Sequence, residues 1–163
     1  MSSRYPTKND LSESTRSEAI GLLNANLASG IDLALQAKQA HWNVKGPSFF
    51  QLHELFDQVY EAASGWVDLV AERAVQLGGV AEGTLASVSE RTTLSDYGLD
   101  LSSGKDHLEA LAGALAKFGK SIRLAISKAD KAGDADTADL FTEVSRGADK
   151  MLWFLESHLQ DDR

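Results

Sequence analysis

Two of the four histidines, His41 and His53, lie in the stretch KQAHWNVKGPSFFQLHELFDQVYEAASGWVDLVAERAVQLGG, and Asp57, Asp68 and Glu72 follow them in the same stretch. Imidazole nitrogen and carboxylate oxygen together form a mixed donor set that suits ferrous iron and also accepts zinc, cobalt or manganese. Whether these side chains can reach one ion depends on the helix that carries them. His53 and Asp57 are spaced i, i+4, and so are Asp68 and Glu72, so each pair shares a helix face. Asp57 and Asp68 are eleven residues apart, about three turns, which brings all four within roughly a 100° arc. Along the axis, however, the two pairs are separated by about 16 Å. Ligand-to-metal distances are only about 2.0–2.6 Å. One chain cannot close the site with both pairs.

A second copy of the helix removes the difficulty. In an antiparallel two-fold pairing, residues face each other when their indices have a constant sum. His53 with Glu72 and Asp57 with Asp68 give the same sum, 125. One two-fold operation, the commonest in soluble oligomers, therefore builds two equivalent sites, each from both chains. The pairing centre falls between Ala62 and Ala63, in the run Ala62-Ala63-Ser64-Gly65, where small residues allow close approach. His41 adds a second imidazole if the Gly46-Pro47 turn folds it back over the helix. Bundles that hold two irons within one subunit typically use Glu-x-x-His, and the chain contains no such motif.

Four helical segments must position these residues. The first carries Ile20, Leu23, Leu27, Ile31 and Leu35, with Asp10 and Glu13 as its expected cap, and Gly46-Pro47 stops it. The second opens at Ser48 and closes at Gly78-Gly79. The third starts near Ser103, paired with Asp106, carries Leu108, Leu111, Leu115, Phe118, Ile122 and Ile126, and ends at Gly133. The fourth starts near Asp134 or Asp136 and carries Phe141, Val144, Ala148, Met151 and Leu155. Short turns make helices one and two, and three and four, antiparallel pairs. The long link from Val80 to Ser102, with a short helix expected around Leu94–Gly98, can travel the length of a bundle. The expected fold is all-α: a ferritin-like four-helix bundle with one long crossover between helices two and three. Residues 1–10 read as a flexible tail and 11–160 as the domain.

At 163 residues, with 43% hydrophobic and 25% charged residues, the chain fits one domain with a full core. It has no cysteine, which excludes disulfides and thiolate chemistry. Neither an apolar run long enough to span a membrane nor a secretory leader is visible, so a cytoplasmic location is expected. The net charge of −8 repels phosphate backbones and attracts cations.

The stretch KQAHWNVKGPSFFQLHELFD, followed by VDLVAERAVQLGG, resembles the first signature of the Dps mini-ferritins, the DNA-protection-during-starvation family. DADTADLFTEVSRGADKMLWFLESHLQ is similar to that family's C-terminal helix, and the match covers nearly everything after Asp10. The family's ferroxidase ligands fall on His41, His53 and Asp57 from one chain and Asp68 and Glu72 from the other. The resemblance implies a hollow homododecamer of 23 symmetry, built from two-fold dimers, in a bacterial cytoplasm. Ferrous iron and hydrogen peroxide would be its substrates, with ferric oxide stored inside. It also implies acid-lined three-fold pores for iron entry, for which Asp130, Asp134 and Asp139 are the candidates, drawn from an acidic group that includes Asp136.

Trp42, beside His41, reads either as an electron donor that quenches radicals at the site or as a core aromatic. Trp66 and Trp153 read as core or interface residues, and His107 and His158 as surface histidines. Family members that bind DNA tightly generally carry a lysine-rich tail. This N-terminus offers Arg4 and Lys8 before Asp10, and the C-terminus reads Gln-Asp-Asp-Arg. Affinity for DNA comes largely from neutralising phosphates, so direct binding is expected to be weak at physiological salt, avidity from twelve tails notwithstanding. The competing readings are a nucleoid-binding stress protein with a secondary metal site, and a structural oligomer with a vestigial one.

Overall fold

A computed structural model describes residues 5–160. It contains helices α1 (Glu13–Asn43), α2 (Phe49–Gln76), α3 (Leu85–Arg91), α4 (Gly104–Ala132) and α5 (Ala135–Ser157), and no named strand among the described residues. No helix among these is long and apolar enough to cross a membrane. Long-range contacts fix the helix directions. Lys38 reaches Asp57 and His41 reaches His53, so α1 and α2 are antiparallel. Thr15 bonds the Ala132 carbonyl and Ser121 bonds Asn26, so α1 and α4 are also antiparallel. Hence α2 and α4 run the same way, and their connection must cross the whole bundle. It does: Lys45, in the α1–α2 turn, donates its N–H to Ser102 O at 3.0 Å, at the far end of the crossover.

The caps explain where the helices begin. Ser103 accepts from Asp106 N at 3.1 Å to start α4, as expected, and α4 ends at Gly133 in the left-handed region (φ 86°). The α1 cap is Ser12, which accepts from Thr15 N at 3.1 Å, rather than the expected Asp10 with Glu13. The upstream Asn9 side chain instead binds Leu11 N, which holds the segment before Ser12 in a turn. Tyr5 N donates to Gly78 O, so the described part of the expected tail is tied to the end of α2; Met1–Arg4, with Arg4, lie outside the described residues.

Two expectations about apolar positions need correction. The α1 core stripe does not continue through Leu35, which is 54% exposed; Leu33, Ala37 and Ala40 take over. Successive steps of four advance the stripe by about 40° each on a helix of 3.6 residues per turn, so the stripe rotates out. The short crossover helix lies at Leu85–Arg91, not around Leu94–Gly98. Thr84 caps it through Ser87 N, whereas Leu94 is buried and Tyr97 is held by a side-chain bond.

At the other end of the bundle, Arg73 of α2 donates from Nη2 to Asp134 Oδ1 at 2.9 Å and from Nε to Thr137 Oγ1 at 3.0 Å. Asp134 also accepts from Thr137 N and is the N-cap of α5. Removing one partner of such a buried pair leaves an uncompensated charge, which costs about 3–5 kcal/mol. Asp134→Ala is therefore expected to shift the urea midpoint downward by the equivalent of roughly 3 kcal/mol, with Asp139→Ala nearly neutral; equilibrium denaturation measures both.

Candidate metal centre

The two candidate imidazoles come from opposite ends of the α1–α2 turn, where the antiparallel hairpin brings them together. His41 is in the last turn of α1 and His53 in the second turn of α2. Their rings stack with centroids 3.6 Å apart and planes inclined by 21°. Each ring binds the main chain of the other residue: His41 Nδ1 lies 2.7 Å from His53 O, and His53 Nδ1 lies 2.8 Å from His41 O. A carbonyl oxygen only accepts, so both Nδ1 atoms carry the proton and donate. In the neutral form of each ring this leaves Nε2 with a lone pair. A reciprocal clasp of this kind fixes tautomer and orientation together, as the outer-shell partners of ligating histidines do.

Asp57 lies one turn beyond His53, and Lys38 Nζ donates to its Oδ1. That hydrogen bond from the Lys38 ammonium holds the Asp57 carboxyl below the ordinary carboxylate range. Asp57 is thus ionised at neutral pH. Lys38 also lies over the Tyr60 ring, 4.6 Å from its centroid. Its place three residues before His41, on the same helix face, was available in the sequence and went unread.

Asp68 and Glu72 are exposed on the same helix, beginning about three turns beyond Asp57. Among the described residues of one chain, no three His, Asp or Glu side chains stand close enough together to hold a metal ion. The structure therefore brings His41 and His53 together, sets Asp57 one turn away on Lys38, and leaves Asp68 and Glu72 apart from them.

The α2 surface between the two pairs carries small residues. Gly65 is exposed, and a Cβ placed there would meet nothing within 4 Å. Ala62 and Ser64 are half-buried beside it, but Ala63, expected at the pairing centre, is 0% exposed and faces its own core. The small residues offered outward are Ala62, Ser64 and Gly65. Phe49 leans on His53 with ring centroids 5.2 Å apart, and Phe50 next to it is exposed.

Trp42 is 68% exposed, which removes the core reading and leaves its indole on the surface next to His41. Trp66 is a core residue stacked on Phe118, and Trp153 is exposed beside Phe154. His158 is exposed as expected, but His107 is not: it is 1% exposed and bonded to Tyr97. The pore candidates divide. Asp130 and Asp139 are exposed around the α4–α5 turn, while Asp134 is buried in its pair with Arg73 and cannot line a channel. The cap reading of Asp134 was legible; the arginine on another helix was not.

A family model described as a ferritin-like domain matches residues 20–163. The DNA protection during starvation protein of Agrobacterium fabrum is 50% identical over 157 residues, covering 96% of this chain and 97% of that protein. The protein of the same name from Brevibacillus brevis is 34% identical over 142 residues, covering 85% and 93%. Among solved structures, DpsC from Streptomyces coelicolor superposes with a TM-score of 0.93 at 31% identity, covering all of this chain and 94% of that one. Mycobacterium smegmatis Dps gives 0.91 at 32% identity, covering 96% and 94%. With this coverage at both sequence and structural level, the chain belongs to the Dps family of ferritin-like proteins.

Proposed function

We propose that the protein oxidises ferrous iron, with hydrogen peroxide as the preferred oxidant, at sites shared between two subunits. His41, His53 and Asp57 of one subunit and Asp68 and Glu72 of its mate hold the iron. Two ferrous ions give one electron each, so peroxide is reduced to two waters without releasing hydroxyl radical. Zinc or another divalent ion can occupy the same donors. The ferric product is stored in a hollow shell of twelve subunits in the cytoplasm, with Asp130 and Asp139 drawing ferrous ions to its pores. Protection of DNA is then chemical, through removal of iron and peroxide.

The observation that carries this reading is the His41–His53 clasp. Both Nδ1 atoms are taken up by carbonyls, which leaves the Nε2 atoms for a metal, with a carboxylate one turn away, and no donor among the described residues of the same chain completes the set. A histidine pair kept for packing alone would not need both Nδ1 protons committed to carbonyls. The direction of the chemistry follows from the donors, since hard carboxylate oxygens favour the ferric state over the ferrous.

Gly65 tests the sharing of the site. In the isolated subunit its outward side is open, so Gly65→Leu fits the chain and gains about 1 kcal/mol of helix propensity. In the two-fold pairing the leucine strikes the mate's helix. The expected result is a folded, helical subunit that sediments as a monomer and has lost ferrous oxidation. A variant that stays assembled and active would overturn the shared-site reading.

A further inference from the structure

One pair of titratable side chains, half-buried Tyr97 and buried His107, takes no part in the proposed iron chemistry. Tyr97, on the irregular half of the crossover, places its phenolic oxygen 2.6 Å from His107 Nδ1 in the first turn of α4. The two rings are nearly parallel, inclined by 15°. Burial raises the Tyr97 phenol well above its ordinary range and lowers the His107 imidazolium, so both groups are neutral at physiological pH. The Asn43 main chain meets the imidazole and favours its protonated form, as only the carbonyl can. Nε2 is buried and without a hydrogen-bond partner among the described residues, while Nδ1 faces the phenol, which has a proton to give.

The location gives this pair a use. Asn43 stands two residues after His41. Phe56, whose ring centroid is 6.2 Å from that of His107, immediately precedes Asp57. The imidazole is thus next to two residues, Asn43 and Phe56, that lie within two positions of those proposed to hold iron.

We propose that Tyr97, hydrogen-bonded to buried His107, is a one-electron reservoir for the iron site: when a site holds a single ferrous ion, the phenol supplies the second electron that peroxide requires. This inference rests on the ferrous-oxidation reading above. Peroxide takes up two electrons and two protons from solvent and becomes two waters. One electron comes from the ferrous ion, which becomes ferric. The other leaves Tyr97 as its O–H bond breaks and the proton bonds to His107 Nδ1, giving a neutral phenoxyl radical beside an imidazolium. The next ferrous ion reduces the radical, and the proton returns from His107 to the phenolic oxygen. Two ferrous ions are still consumed per peroxide, and the protein is unchanged. Tyr97 has its proton acceptor already in place, the His107 imidazole. Tyr60 instead has the Lys38 ammonium over its ring, which opposes loss of an electron.

The test uses the assembled protein, loaded with one ferrous ion per site, mixed with peroxide and freeze-quenched for electron paramagnetic resonance. The expected result is a phenoxyl signal that narrows when the protein is grown with ring-deuterated tyrosine. Tyr97→Phe abolishes it, and His107→Gln, which can bond the phenol but cannot hold its proton, lowers it. Tyr5 and Tyr60 are the other two tyrosines, so Tyr5→Phe with Tyr60→Phe leaves Tyr97 alone and retains the signal. This second variant assigns the radical even if Tyr97→Phe fails to fold. A signal surviving in Tyr97→Phe, missing from the Tyr5/Tyr60 variant, or carried by tryptophan overturns the proposal. At two ferrous ions per site, Tyr97→Phe and wild type oxidise iron equally fast. Rapid oxidation with no Tyr97 radical overturns this inference alone; a wild type that oxidises no iron overturns the function reading, and this one with it.

Discussion

His41→Gly combined with His53→Gly is expected to slow peroxide-driven ferrous oxidation about a hundredfold or more, since loss of an outer-shell partner alone costs about 10–100-fold and these are the proposed ligands themselves. The subunit should nevertheless fold and associate. The two clasp hydrogen bonds contribute about 1 kcal/mol each, and two helix glycines cost about another 1 kcal/mol each. That total is below the 5–15 kcal/mol that typically stabilises a domain. His41 sits in the last turn of α1, where a glycine matters least. Stopped-flow absorbance at the ferric band measures the rate, and sedimentation verifies the shell. Oxidation at the wild-type rate in an assembled double variant would refute the assignment of both imidazoles. Because the two rings stack with centroids 3.6 Å apart and are proposed to serve one site, the effects of the single changes should not add. Removing either ring leaves the other Nδ1 on its main-chain carbonyl but takes away one imidazole donor and the ring stacked against the survivor, so each single variant should already lose most of the rate.

The same clasp shows what could be read from the chain and what could not. Spacing alone placed His53, Asp57, Asp68 and Glu72 on one arc of α2, because a helix turns every residue by a fixed angle. It could not place Nδ1 against a carbonyl, since that depends on how the Gly46-Pro47 turn closes the hairpin. His107 was misread for a related reason. A histidine in the first turn of a helix is usually solvated, and its burial comes from the crossover laid over it, a contact between segments that no local pattern encodes. The polar residues of α1 tell the same story. Asn24, Ser29, Asp32 and Gln36 look like a solvated face, yet Asn24 binds Val80 O and Glu82 N, and Gln36 binds Ser95 O. They form the seat of the crossover, so its path is written into α1 in polar side chains whose partners lie more than fifty residues along the chain. Asp134 was half legible: the cap is local, whereas its partner Arg73 is 61 residues away.

Mixing two inactive variants should restore activity in a fixed proportion. In Asp57→Ala every site lacks one carboxylate, and in Glu72→Ala every site lacks another, so each homogeneous shell should be nearly inactive. Refolding or co-expressing the two in equal amounts gives dimers in the ratio 1:2:1, so about half are mixed. A mixed dimer has two sites. One combines the altered Asp57 end of the first chain with the altered Glu72 end of the second and is doubly defective. The other combines the intact Asp57 end with the intact Glu72 end and is complete. About a quarter of all sites are therefore restored, and the mixture should show about 25% of wild-type oxidation. The arithmetic discriminates sharply. If all five ligands belonged to one chain, mixing would return no activity above the parents. If the two carboxylates acted independently of each other, each parent would retain activity by itself and mixing would only average the two. Asp57 is also bonded to Lys38, so its alanine variant frees an ammonium next to the site. Asp57→Asn, which can still accept from Lys38, controls for that loss and should complement Glu72→Ala to the same quarter.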